Sequence, residues 1–102
     1  MSMDDNFTGI QHIGIPTNDI EATIAFYQKL GFIPVLRTVN EQANEKVAFL
    51  RLHNLTIETY ENKAAEMKTG AIDHIAINCV SIEDAFSYIN KEGLNTTSDT
   101  IH

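Results

Sequence analysis

A chain of 102 residues that is 43% apolar can build one small domain with a real core, and is too apolar to be a disordered polymer. Its 14 acidic against 7 basic residues give a formal charge of −7, which repels phosphate backbones and anionic lipids and argues against nucleic acid and membrane surfaces as partners. The acidic start MSMDDNF is not a secretory signal, no apolar run approaches a bilayer span, and a lone cysteine, Cys79, can form no intrachain disulfide. A reducing, cytoplasmic setting is the default these features imply.

In chain order, residues 1 to 8 are expected to be irregular. Gly9 to Pro16 reads as a strand with Ile10, His12 and Gly14 on one face, ended by Pro16, which cannot donate to a ladder. Asp19 is a good N-cap, and Ile20, Ile24, Tyr27 and Leu30 recur at helical spacing up to Gly31, the expected C′ residue. Phe32 to Val39 is a second strand, with Pro34 indicating an edge or a bulge, and Asn40 to Asn44 is a polar turn. Lys46 to Leu52 and Leu55 to Glu61 are the third and fourth strands, joined by His53-Asn54. Asn62 to Gly70 is a linker with a short helical turn at Ala64 to Met67. Ala71 to Val80 is a further strand that would bury Cys79 as an inert thiol. Ser81 and Asp84 suggest a capping box, with Ile82, Ala85, Phe86 and Ile89 as the helix stripe and Gly93 as its stop. Leu94 to Ile101 would be one more strand.

The stretch Ile10 to Phe32 recurs as Ile72 to Leu94, 62 residues later and in one ungapped register. His12 falls on His74, Ile20 on Ile82, Glu21 on Glu83, Lys29 on Lys91 and Gly31 on Gly93. A repeated supersecondary unit implies two units that bury a face against each other. The first unit reads βαβββ and the second only βαβ.

His12 and His74 are the chemical interest, each followed two residues on by a small residue, Gly14 or Ala76, on the same face. A histidine in an apolar strand is more often a core or exposed residue than a ligand, but folding has no need of one twice at the same place. Glu58, mid-strand between Ile57 and Thr59, must face solvent, a partner or a metal. Glu61 competes with it from the opposite strand face. His53 sits in a turn and reads as solvated. No phosphate loop, cysteine cluster or nucleophile elbow is present.

HIGIPTNDIEATIAFYQKLGF, then LTIETYE, then DHIAI, resembles the vicinal-oxygen-chelate superfamily of glyoxalase I, methylmalonyl-CoA epimerase, ring-cleaving dioxygenases and bleomycin or fosfomycin resistance proteins. The resemblance covers residues 9 to about 94. It implies an α+β fold of paired βαβββ modules forming a cupped mixed sheet, with the second module incomplete. Residues 1–102 would then be a single domain, with modules at 9–62 and 71–102. Carried over, the metal ligands fall on His12, Glu58 and His74, with Glu58 also the candidate catalytic carboxylate. Asn62 matches an asparagine that contacts glutathione in glyoxalase I, while Pro16 stands where that family carries a basic residue. The fourth ligand, a glutamate on the last strand, has no counterpart.

The resulting expectation is a glyoxalase I-like, metal-dependent lyase or isomerase. It would act on a small thiol adduct or thioester through an enediolate, with Zn²⁺, Ni²⁺ or Co²⁺. The chain as given is expected to be a poor catalyst and to associate as a homodimer or higher oligomer. The competing reading is a metal-free or weakly metal-binding small-molecule resistance protein, which would typically lack the histidines and glutamate retained here. An inactive truncated fold is the third.

Overall fold

The computed structural model describes residues 2–68, 70–72 and 74–94. The chain divides into two compact units, Met1–Met67 and Lys68–His102.

In the first unit a short helix α1 (Met3–Asn6) precedes strand β1 (Ile13–Thr17), helix α2 (Ile20–Lys29) and strands β2 (Ile33–Asn40), β3 (Glu45–Leu52) and β4 (Leu55–Glu61). After α1 this is the complete βαβββ module. The strands form one mixed sheet in the order β1-β4-β3-β2, with β1 parallel to β4 and the other pairs antiparallel. Because side chains alternate across a sheet, one set faces α2 and the other is open. Ala48, Leu50 and Ile57 bury against Ile20, Ile24 and Phe32, with Ile15, Tyr27, Leu30, Leu52 and Leu55 packed around them.

Helix α2 begins and ends as its sequence dictates. The Asp19 carboxylate accepts from Ala22 N–H at 3.1 Å. At the other end Gly31, at φ +99°, turns the chain out of the helix. Its N–H donates to the Gln28 carbonyl and Phe32 N–H to that of Tyr27, both at 3.0 Å, while the Tyr27 and Phe32 rings meet at 5.1 Å. This is the Schellman stop with its apolar contact.

In the second unit, α3 (Ile82–Lys91) repeats these devices 62 residues later. Ser81 Oγ accepts from Asp84 N–H at 3.1 Å, and Gly93, at φ +73°, sets up the same pair of closing bonds, Gly93 N–H to Asn90 and Leu94 N–H to Ile89. The stripe residues Ala85, Phe86 and Ile89 are half-buried and Ile82 is exposed.

Several expectations are corrected. Residues 3–6 form a helical turn rather than an irregular start, closed by Phe7 N–H on the Met3 carbonyl and carrying Asp4 and Asp5 in its first turn. Strand β1 starts at Ile13, not Gly9, and runs through Pro16 to Thr17. Proline is admitted because β1 is a sheet edge: the Thr17 carbonyl accepts from Asn62 on the β4 side, so the preceding Pro16 nitrogen turns to the open side. Pro34 is at both an edge and a bulge, since the β2–β3 register shifts between Pro34 and Leu36.

Ala64 to Met67 forms no helical turn. Lys63 and Met67 take left-handed φ of 59° and 60°, and the Asn18 side-chain amide holds both the N–H and the C=O of Ala65. Described residues of 71–80 form no strand, because a strand needs a ladder partner and they have none among the described residues. Cys79 is accordingly exposed, not buried. The expected strand at 94–101 lies, after Leu94, outside the described residues. No helix among the described residues is long and apolar enough to cross a membrane.

Two core groups make the packing testable. The Thr59 hydroxyl is fully buried with no hydrogen-bond partner, an unsatisfied polar group on the helix-facing side of β4. Thr59→Val keeps the shape and removes the desolvation penalty, and is expected to raise unfolding stability in urea by about 1 kcal/mol. Burial raises the Tyr27 phenol above its ordinary value of 10.0. The unfolded chain then loses this proton first, so Tyr27's contribution is intact below pH 10 and falls away as pH rises through the folded value. Urea titrations between pH 9 and roughly 11 should show a shallower alkaline loss in Tyr27→Phe than in the wild type.

Candidate metal centre on the open sheet face

The parallel pairing of β1 with β4 sets Gly14 opposite Glu58 and Ile15 opposite Thr59. Antiparallel pairing with β3 sets Phe49 opposite Glu58 on the other side. Ile57 and Thr59 are buried under α2, so Glu58 between them stands on the open face. His12, just before β1, reaches the same face. Its Nε2 lies 3.9 Å from Glu58 Oε1, and the two side chains are 32% and 30% exposed.

The imidazole is held from two sides. Phe49 meets it edge to face, with centroids 5.4 Å apart and planes at 88°. The Gln11 side-chain oxygen sits 2.9 Å from His12 Nδ1. Gly14 leaves the space beside the pair open: a Cβ there would lie 3.5 Å from the Tyr60 ring and 3.8 Å from Glu58 Oε1. Tyr60 thus forms the wall beside the carboxylate.

Glu61 faces the other way. Its carboxylate accepts from Ile20 N–H at 2.9 Å, at the N-terminus of α2 where the helix dipole favours negative charge. Strand alternation alone separates these carboxylates, as the sequence reading expected. Asn62 takes neither side: its oxygen accepts from Ala64 N–H at 3.0 Å in the turn after β4. It lines a cavity of about 750 Å³ with Glu45, Lys46, Glu61 and Lys63, and neither His12 nor Glu58 lines that space. His53 occupies the β3–β4 turn at φ 52° and is exposed. His74 precedes α3 in the second unit and is exposed.

The donor chemistry fits a divalent cation. Imidazole and carboxylate suit a hard or borderline ion, and the open face leaves positions for solvent or substrate oxygen. Among the described residues, no three His, Cys, Asp or Glu side chains converge as a ligand group. Sequence reasoning missed Gln11 and Phe49, and it set Tyr60 on the face of Glu58 without giving it a part in the site. Tyr60 was legible from alternation with Glu58, whereas Phe49 required the β3–β4 register and Gln11 a side-chain conformation.

The chain belongs to the Glyoxalase/Bleomycin resistance protein/Dioxygenase superfamily, whose model matches residues 9–99. Solved structures with this fold include a glyoxalase family protein from Enterococcus faecalis, 21% identical with a TM-score of 0.69, covering 86% of this chain and 75% of that one. They also include the genomically encoded fosfomycin resistance protein FosX from Listeria monocytogenes, complexed with Mn(II) and sulfate. It is 21% identical with a TM-score of 0.74, covering 91% of this chain and 78% of that one. No curated protein sequence matches the chain.

The two carboxylates have separable roles. Glu61→Ala strips the acceptor from a part-buried helix N-terminus and is expected to cost about 1–2 kcal/mol in urea unfolding. Glu58→Ala, on the open face, should stay within about 0.5 kcal/mol of the wild type. Equal losses for the two would show that they do not divide the faces in this way.

Proposed function

We propose that the chain is a divalent-metal-dependent enzyme of its superfamily, a lyase or isomerase of glyoxalase I type that moves a proton between adjacent carbons of a small thiol adduct or thioester. The observation that carries this is the His12–Glu58 pair, 3.9 Å apart on a face that α2 does not cover. Helix packing has no use for either side chain there, whereas a cation site needs both. His74 enters as a third ligand through the sequence repeat alone, and Asn62 as a substrate contact through the family resemblance alone. When bound, the ion supplies Lewis-acid stabilisation of developing negative charge on two neighbouring substrate oxygens.

The chain's own residues do the rest. His12 presents Nε2 to the site, and Glu58 offers one carboxylate oxygen toward it. The same carboxylate is the candidate proton acceptor, with reach over the gap that Gly14 leaves. The Tyr60 ring bounds that gap and limits the width of what lies against Glu58. The retained His12, Glu58 and His74 favour this reading over a metal-free binding protein. Zn²⁺, Ni²⁺ and Co²⁺ all suit such donors, and a manganous ion would favour the carboxylate side of the set.

Isothermal titration of the metal-stripped chain with Zn²⁺, Ni²⁺, Co²⁺ and Mn²⁺ tests this directly. His12→Ala and Glu58→Ala should each weaken binding by more than the roughly 10–100-fold typical of outer-shell changes. Metal uptake that ignores both substitutions would reject the site.

A further inference from the structure

We propose that Gln11 is a positioning residue that selects the tautomer of His12 and so determines which ring nitrogen faces the metal site. The inference rests on the reading of His12 as a ligand. The Gln11 side-chain oxygen lies 2.9 Å from His12 Nδ1, and a carboxamide oxygen can only accept. With the oxygen in this orientation Nδ1 is the nitrogen that carries the proton and Nε2 keeps its lone pair, against the pull of the Glu58 carboxylate, which by itself would favour a proton on Nε2. Nε2 is the nitrogen 3.9 Å from Glu58 Oε1, on the open face.

This is the less populated tautomer of a free neutral histidine in water, so it needs a partner at Nδ1. Phe49 cannot supply one. Its edge-to-face contact limits the tilt of the ring but does not distinguish the nitrogens. Strand pairing cannot supply one either, since His12 lies outside β1 and its ladder. Gln11 is exposed and contributes nothing to the core, so its substitution leaves the fold intact. An acceptor at the far nitrogen also makes the imidazole a more basic ligand and fixes its direction.

The test uses the metal-stripped full chain at pH 8, with long-range ¹H–¹⁵N correlation spectra of the histidine rings and His12→Ala to assign the signals. Wild type should show His12 protonated at Nδ1 and bare at Nε2. Gln11→Met, similar in length but without the carboxamide acceptor, should shift the ring toward the Nε2-protonated form and weaken Zn²⁺ binding about 10–100-fold. Gln11→Glu, which keeps the acceptor, should restore the tautomer and the affinity. An unchanged tautomer in Gln11→Met, or a changed tautomer with unchanged Zn²⁺ affinity, overturns the proposal. If His12→Ala binds Zn²⁺ as wild type does, the ligand reading itself fails, and the metal role of Gln11 fails with it. That outcome is distinct from the first two, in which His12→Ala does lose the metal.

Discussion

The parallel pairing of β1 with β4 is the constraint on which the first unit depends. It joins residues more than forty positions apart and puts Gly14 beside Glu58 and Ile15 beside Thr59. A slip of one residue would turn Glu58 under α2 and expose Ile57 and Thr59. Polar bonds at the end of the strands prevent this. The Thr17 carbonyl accepts from Asn62 and Lys63, and the Thr17 hydroxyl accepts from Asp19 N–H. Glu61 then reaches the first turn of α2. Helix start, strand register and site are therefore set together.

The two faces of this sheet treat polar groups differently. Under α2, Glu61 is accepted because a helix N-terminus supplies a donor, and Thr59 is carried with its hydroxyl unsatisfied. On the other face His12, Glu58 and Tyr60 stay partly hydrated, so no partner is required of each. An open sheet face with an imidazole, a carboxylate and a missing Cβ suits cation and small-ligand binding better than it suits packing.

The internal repeat survives in the structure where its determinants are local. Helices α2 and α3 each begin on a side-chain cap and end on a left-handed glycine with the same two closing bonds. The strand that precedes each helix does not survive equally. Ile13–Thr17 has β4 to pair with, whereas its counterpart has no ladder partner among the described residues.

What the sequence determined by itself was the family, the α+β module and the extent of its central elements, because caps, glycine stops and alternation act over a few residues. It also separated Glu58 from Glu61, since two residues an odd number apart on one strand must face opposite ways. It misjudged Pro16 as a terminator, Ala64 to Met67 as a helical turn and Cys79 as buried. Each depends on something far along the chain: an edge position, the grip of Asn18 on Ala65, a strand partner. That His12 and Glu58 share a site was implied by the family resemblance, but only the tertiary structure decided that Phe49 braces the ring and that Gln11 holds its far nitrogen. Strand order and side-chain conformation are set by contacts between residues distant in sequence, and local pattern carries no record of them.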